Sequence, residues 1–255
     1  MYINKYFTGI ALLIFILAYT GCGKNDDTSK TNNNNNEIII PDCGTLTDID
    51  GNTYQTVVIG NLCWMRENLK TTKFNDGTSL SEITDDEDWL EAVSSYDTPA
   101  YCWYNNDFNN YGKIYGALYN LTAIRNDKLC PQGWHVPDNE DWYAMFQTLA
   151  AQGHSYPPSE TPFKVAKALA DNTRWQKSKA LGAVGNDLSA NNKSGFSALP
   201  GGYRNADGAF FQEGKSTRFW ANQHGSISSW IVAFNEKSPF YNITHSAYVR
   251  CVKSN

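Results

Sequence analysis

The stretch CPQGWHVPDNEDWYAMFQTLAAQ, residues 130–152, carries the clearest structural signal in the chain. Asp138 follows Pro137 and can cap a helix, and Asp141 stands three residues later. The apolar side chains that follow fall at positions i, i+3, i+4 and i+7, which share one face of a helix. They are Trp142, Met145, Phe146 and Leu149. The stretch therefore predicts an amphipathic helix over residues 138–152.

The sequence on either side of this helix mixes helical and strand patterns. Further short helices are predicted at residues 85–95, 114–124 and 163–169. From Gly195 onward, short β-like runs alternate with glycine-rich turns. These runs are residues 196–199, 209–211, 218–221, 230–234 and 248–253. With the hairpin described next, this order predicts an α+β fold with central helices and C-terminal antiparallel strands.

An N-terminal β-hairpin is predicted from residues 46–50 and 53–59, which flank the pair Gly51-Asn52. The segment DIDGN, residues 48–52, has part of a calcium-loop pattern. Its glycine comes two places too early, and the twelfth position is Ile59 rather than glutamate. We therefore predict a turn here and no metal site.

The composition limits the classes of function. The net charge is −5, and no cluster of lysine and arginine occurs, which argues against nucleic-acid binding. Aromatic residues are dense, with 8 Trp, 15 Tyr and 12 Phe, while only 18% of residues are charged. This balance is typical of an extracytoplasmic domain with many loops.

The N-terminus has the pattern of a secretory signal peptide, residues 1–21. Lys5 precedes an apolar run, residues 6–18, that is shorter than the roughly 20 residues needed to cross a bilayer. Cys22 follows Gly21 directly and resembles the cysteine of a lipobox, although Tyr19 stands where most lipoboxes have leucine. The resemblance implies that Cys22 carries lipid (palmitate) and anchors the chain as an outer-membrane lipoprotein, facing the periplasm or the cell surface. A soluble secreted protein is the alternative.

The next segment, residues 22–42, is predicted to be a flexible tether. It contains five consecutive asparagines, residues 32–36, and nothing apolar before Ile38, so it cannot bury enough surface to order itself. Residues 43–255 are long enough for one domain with a real core.

After Cys22, five cysteines remain. They are Cys43, Cys63, Cys102, Cys130 and Cys251. Outside the cytoplasm they can form disulfides, and their odd number leaves at least one unpaired within the chain. The hairpin would bring Cys43 and Cys63 together, and Cys102 is the competing partner of Cys63.

Several strings in the domain match one family in order. They are DIDGNTYQTVVIG (48–60), CWMRENLKT (63–71), YCWYNND (101–107), CPQGWHVPDNEDW (130–142), GFSALPGGYR (195–204), FWAN (219–222) and YVRCVK (248–253). The chain resembles the Fibrobacter succinogenes major paralogous domain, found in lipoproteins of Fibrobacter and the Bacteroidetes. The resemblance covers residues 43–255 and brings no established activity.

This family is broadly similar to C-type-lectin-like domains and to the formylglycine-generating domain. The resemblance implies a lectin-like fold and a disulfide between Cys130, near a helix, and Cys251, in the last strand. It does not carry over a calcium-dependent sugar site, because the loop and strand motifs of such sites are absent. It does not carry over formylglycine chemistry either, because only Cys251 is late in the chain.

No catalytic pattern emerges from the sequence. The histidines have no metal-ligand spacing, and they are His135, His154, His224 and His245. Ser197 stands in GFSAL rather than in a nucleophile elbow, and we interpret it as a strand residue. We predict no catalytic residue, no metal and no cofactor.

The candidate ligand contacts are aromatic residues next to short polar ones. Trp103 precedes Asn105, Asn106 and Asp107, and a second segment holds Tyr203 and Arg204. An aromatic face beside amides and carboxylates can stack on a sugar ring and hydrogen-bond to its hydroxyls. The tryptophans inside the family strings are instead predicted to be core residues, and they are Trp64, Trp134 and Trp220.

Three functions are compatible with this sequence. The first is a non-catalytic cell-envelope module that binds a glycan or a surface protein. The second is an envelope enzyme acting on polysaccharide, and the third is a structural or adhesive surface protein without a small ligand. Facing carboxylates, or a serine in contact with a histidine, would favour an enzyme, whereas a shallow aromatic patch would favour binding.

Overall fold

The computed structural model describes residues 42–156, 163–222 and 228–254, all of which belong to the compact unit Ile39–Asn255. The predicted signal peptide, Cys22 and residues 22–41 of the tether lie outside the described residues. The described part has an α+β fold, as predicted. None of the helices in these residues is long and apolar enough to cross a membrane.

The secondary-structure elements are numbered in chain order. The strands are β1 (Leu46–Thr47), β2 (Thr53–Tyr54), β3 (Thr56–Ile59), β4 (Leu62–Met65), β5 (Ser81–Glu82), β6 (Ala100–Cys102), β7 (Leu118–Tyr119), β8 (Gly201–Arg204), β9 (Phe210–Glu213), β10 (Ser216–Trp220), β11 (Ser228–Ala233), β12 (Phe240–Ile243) and β13 (Val252–Ser254). The α-helices are α1 (Asp86–Ser95), α2 (Lys113–Tyr115), α3 (Leu121–Arg125), α4 (Asn139–Ala151) and α5 (Ala166–Leu169). Single helical turns of other types lie at Tyr104–Asn106, Phe108–Gly112 and Leu188–Ala190.

The described strands form four sheets. The largest has the order β12-β11-β10-β8-β9, and β13-β4-β3, β5-β6-β7 and β1-β2 make up the others. Most pairs are antiparallel, while β10 with β8 and β5 with β6 are parallel. The last strand, β13, pairs with β4, which lies near the beginning of the domain.

The predicted hairpin is confirmed as β1 and β2. Leu46 pairs with Tyr54, and Asp48 supplies the turn. The Asp48 carboxylate accepts hydrogen bonds from the Asp50 and Asn52 backbone, the Asn52 side chain and the Tyr54 hydroxyl, the last at 2.6 Å. Its oxygens are thus occupied by the protein's own donors.

The predicted helix at residues 138–152 is confirmed as α4. Asp138 accepts from the Asp141 backbone, and the Asp141 side chain accepts from the Asp138 backbone, which makes a capping box. The four apolar side chains of the predicted stripe are all buried. The helix predicted at residues 85–95 is also confirmed, with Asp85 as its N-cap.

Two other helical predictions are wrong in extent. Residues 114–124 are divided into α2, β7 and α3, because Gly116, at φ 81°, ends α2 against the backbone of Asn68 and Leu69. Asn120 then caps α3. Of the helix predicted at residues 163–169, only α5 forms.

The predicted C-terminal strands are found at β9, β10, β11 and β13, but residues 196–199 form no strand. Ala198 makes an isolated bridge with Ala170, and Ser197 has a φ of 57°, which breaks an extended run. Strands β8 and β12 were not predicted from the pattern.

Two disulfides meet at the sheet β13-β4-β3. Cys43 bonds to Cys63 of β4, with 6.2 Å between the Cα atoms, and Cys130 bonds to Cys251, with 5.9 Å. Both expected pairs are present, and Cys102 is a buried thiol. Burial raises the pKa of Cys102 to about 12, which makes it an unreactive core residue.

Candidate functional site

The side chains of strand β6 and of the two residues that follow it point alternately to opposite sides. Tyr101 and Trp103 lie in one core cluster, and Cys102 and Tyr104 lie in the other. This alternation follows from the two-residue period of extended backbone. Trp103 packs edge-on against Tyr101, with 5.3 Å between the ring centroids, and its ring is tilted against that of Phe108 at 4.8 Å.

Trp103 is not the open stacking platform expected from the sequence. Only 6% of its surface is exposed, and a side chain at Gly112 would come within 2.7 Å of its ring. The glycine lets the backbone cover one face of the indole. The exposed ring of this cluster is Phe108, with 43% of its surface accessible.

The aromatic cluster forms one wall of an open groove of about 470 Å³. Its aromatic lining residues are Tyr101, Trp103 and Phe108, and its polar ones are Asp50, Asn52, Lys70, Thr72 and Glu82. The polar residues come from the hairpin turn, the segment after β4 and strand β5. These segments are distant in sequence, so their grouping depends on the tertiary fold.

Asp50 connects the segments that form the polar wall of the groove through hydrogen bonds and an ion pair. Its carboxylate accepts from the Thr72 backbone at 2.6 Å and from the Thr72 hydroxyl, and it pairs with Lys73 at 2.9 Å. Burial raises the pKa of Asp50, but the hydrogen bonds from Thr72 and Lys73 together hold that pKa below its ordinary value. Asp50 is therefore ionised at neutral pH.

Glu82 and Lys70 supply two charged groups of the groove lining. The Tyr101 hydroxyl donates to Glu82 Oε2 at 3.2 Å, and burial, with help from the Glu82 carboxylate, raises the pKa of Tyr101. The hydroxyl therefore stays protonated and orients Glu82. Among the described residues, no acceptor contacts Lys70 Nζ, which leaves this ammonium available in the groove.

The loop that follows Trp103 uses its polar atoms within the protein. Asn106 Nδ2 donates to the Thr84 carbonyl at 2.8 Å. Asp107 accepts from the backbone and the side chain of Asn110, and the side-chain bond most strongly lowers the pKa of Asp107. Asn105 is exposed with a φ of 53°. None of Asn105, Asn106 and Asp107 is part of the groove lining.

The expectation that Arg204 contacts a ligand is corrected by its position. Arg204 is completely buried, and its guanidinium donates five hydrogen bonds of 2.6 to 3.1 Å. The acceptors are the carbonyl oxygens of Gly208, Ile83, Thr84 and Asp85 and the Asp86 carboxylate. An arginine enclosed in this way has a structural role and cannot reach a ligand in solvent.

Tyr203 is half-buried beside Arg204. The Arg218 guanidinium lies 3.4 Å from the centre of its ring, and Phe211 packs 5.8 Å away. These contacts occupy the ring, and the structure does not bring Tyr203 into the groove wall with Trp103.

Two arrangements typical of catalysis, a serine–histidine pair and a cluster of metal ligands, do not occur among the described residues. No serine hydroxyl in this part of the chain is hydrogen-bonded to a histidine, and His135 instead contacts Asp141 at 3.0 Å. No group of three or more potential metal ligands converges among these residues. The core predictions for Trp64, Trp134 and Trp220 are confirmed, since at most 9% of each is exposed.

Comparison with known proteins places the chain in a family. The family model of the Fibrobacter succinogenes major domain matches residues 57–253, which reach from β3 to β13. No curated protein and no solved structure matches the chain. The match covers most of the 255 residues, and the chain therefore belongs to the Fibrobacter succinogenes major domain family.

Proposed function

We propose that the domain is a non-catalytic, lectin-like module that binds glycans in the groove beside Trp103 and Phe108. The observation that carries this proposal is the grouping of an exposed aromatic ring with a carboxylate and an ammonium in one open groove. Phe108 offers an apolar face to a sugar ring, while Glu82 and Lys70 offer an acceptor and a donor to its hydroxyls.

A glycan fits this groove better than a protein surface does. Its volume of about 470 Å³ lies within the range of small-ligand sites. A stable protein interface instead buries roughly 800 Å² on each partner. A C-type-lectin-like arrangement is part of the proposal, and the disulfide that joins the segment before α4 to the residue directly before the last strand supports it.

Replacing Phe108 with alanine should weaken glycan binding about tenfold, because the change removes the exposed aromatic face while the buried Trp103 and Tyr101 remain. We would first identify a ligand on a glycan array with the detergent-solubilised full chain. The affinity of each variant is then measured by calorimetry.

The matched control is Phe240→Ala, because Phe240 is exposed to 39% in the edge strand β12 and is not part of the groove lining. It should leave the affinity unchanged. Equal losses in both variants, or a loss only with Phe240→Ala, would place the glycan elsewhere.

An enzyme acting on polysaccharide is the second candidate, because Asp50 and Glu82 line the same groove. Hydrolysis requires one carboxyl to act as an acid, usually with a raised pKa. Asp50 does not suit the role of acid, since its pKa is lowered, and its oxygens are already bonded to Thr72 and Lys73, so they do not suit the role of nucleophile either. Binding is therefore the better proposal, and release of reducing ends from the bound glycan, abolished in Glu82→Gln, would reverse this order.

We further propose that the module is displayed on the cell envelope by lipid on Cys22. The supporting observation is the sequence pattern of residues 1–22. Replacing Cys22 with serine should move the protein from the membrane fraction to the soluble fraction. Metabolic labelling with an alkyne fatty acid should mark the native chain and not the variant. A variant that remains membrane-bound and labelled would contradict the anchor.

A further inference from the structure

A second cavity forms where four of the family strings meet, the first of which contributes Gln55. It has a volume of about 350 Å³ and shares no lining residue with the groove. Arg66 and Glu67 come from the segment after β4, Ser197 and Leu199 from the loop before β8, and Arg250 from the segment before β13. The volume is within the range of small-molecule sites.

Arg250 forms a fixed wall of this cavity. Only 1% of it is exposed, and its guanidinium donates to Asn68 Oδ1 at 2.8 Å and to the carbonyl oxygens of Phe196 and Ser197. The Phe196 ring also packs against it, 4.2 Å from the guanidinium. Burial lowers the pKa of Arg250 to about 9, which still leaves it positively charged at neutral pH. The cavity thus has a rigid cationic side.

Two carboxylates face these arginines without pairing with them. Glu67 and Asp171 also line the cavity, and both act on the charge of Arg250 through space. None of the ion pairs among the described residues joins Glu67 or Asp171 to Arg66 or Arg250. The cavity therefore holds two positive and two negative groups that do not neutralise one another by direct contact.

Arg66, Glu67 and Asp171 are more accessible than Arg250. In each of them one side-chain atom is hydrogen-bonded to the protein, and at least one other polar atom is available to a ligand. Arg66 donates through Nε to the Gly195 carbonyl at 3.0 Å, which leaves its terminal nitrogens. Glu67 accepts from the Gln55 backbone through Oε2 at 2.8 Å. Asp171 accepts from Thr173 through Oδ1. One oxygen of each carboxylate remains without a donor among the described residues.

We propose that this cavity binds a free α-amino acid as a zwitterion, a role beyond that of the glycan groove. The ligand carboxylate is held by the terminal nitrogens of Arg66 on the side of the cavity formed by Arg250. Its ammonium group is held by Glu67 and Asp171, and an aliphatic side chain packs against Ile114 and Leu199. Charge-assisted hydrogen bonds then engage Arg66, Glu67 and Asp171, and the ligand carboxylate lies on the side of the cavity that carries the Arg250 charge. A neutral sugar can hydrogen-bond to these groups, but it brings no charges opposite to theirs.

Leucine is the probe that tests this proposal, with its binding to the full chain in detergent measured by calorimetry. N-acetyl-leucine lacks the cationic end, and leucine amide lacks the anionic end. Leucine should bind at least tenfold more tightly than either. Equal affinity for the three compounds would overturn the proposal, as would the absence of leucine binding at millimolar concentration. Glucose binding that is lost in Asp171→Asn would assign the cavity to a sugar instead.

Two variants locate the site. Asp171→Asn removes the charge but keeps an oxygen to accept from Thr173, and Arg66→Gln removes the fork for the carboxylate. Each should weaken leucine binding about tenfold, with folding checked by thermal unfolding. The matched controls are Asp97→Asn and Arg125→Gln, both at exposed residues outside the cavity lining. Neither these controls nor Phe108→Ala should change leucine affinity. An unchanged affinity in Asp171→Asn would reject the site.

Discussion

Replacing Arg204 with methionine should lower the free energy of unfolding by ~4 kcal/mol or more. The variant keeps much of the apolar volume of the side chain but removes all five hydrogen bonds of the guanidinium. Four of the acceptors are backbone carbonyls, which cannot be removed with the arginine. The Thr84 and Asp85 carbonyls keep donors in Asn106 and Trp89, whereas the carbonyls of Ile83 and Gly208 lose the donor that Arg204 supplies. The packing of the guanidinium on the Trp89 ring, 4.7 Å away, is lost as well. Urea unfolding of the oxidised protein, followed by tryptophan fluorescence, measures the change.

The matched control for this prediction is Asp86→Asn. Asp86 is the charged partner of Arg204, at 2.8 Å, but its side chain is 66% exposed. Removing its charge should therefore cost less than ~1 kcal/mol. If the two variants were destabilised equally, the ion pair rather than the carbonyl cage would be the main contribution of Arg204. A loss below ~1 kcal/mol in Arg204→Met would show that the arginine is not enclosed as described.

Removing the Cys130–Cys251 disulfide by replacing both cysteines with alanine should cost ~5 kcal/mol, according to the chain-entropy model. The bond joins residues 121 positions apart, so it strongly restricts the unfolded chain. The disulfide also links the segment before β13 to the segment before α4. Next to it, the backbones of His135 and Val252 are hydrogen-bonded to each other. Urea unfolding of the double variant against the oxidised native protein tests the magnitude.

The Cys43–Cys63 disulfide provides the comparison. It closes a separation of 20 residues, and the same model gives ~3 kcal/mol for its removal. A larger loss from the shorter loop would contradict the entropic explanation. Peptide mapping under non-reducing conditions checks the pairing itself, and a free thiol at Cys251 would reject the longer link.

The elements that were predicted correctly are those specified by neighbouring residues. Helix α4 is determined by Asp138, Asp141 and an apolar stripe, all within twelve residues of one another. The hairpin depends on Asp48 and the short turn after it. Capping and turn hydrogen bonds join atoms a few positions apart, so their pattern can be read directly from the sequence.

The elements that were predicted incorrectly depend on distant contacts. Residues 114–124 have a helical pattern, but Gly116 approaches Asn68 and Leu69, and β7 pairs with β6 instead. At residues 196–199, the carbonyl oxygens of Phe196 and Ser197 accept from Arg250, more than fifty positions away. These interactions override the local preference, because helix and strand tendencies are individually small.

Some features of the candidate site could likewise be predicted from the sequence, and others depend on the tertiary structure. The sequence by itself determined the family, the α+β class and the presence of an aromatic cluster at Trp103, because these depend on residue types and their order. Only the tertiary structure decided that Trp103 is covered, that Arg204 is enclosed, and that Lys70 and Glu82 meet beside Phe108. It also decided that Arg66, Asp171 and Arg250 line one cavity. The physical reason is that burial and charge proximity arise from packing between segments that can be more than a hundred residues apart, and the spacing along the chain does not encode these distances.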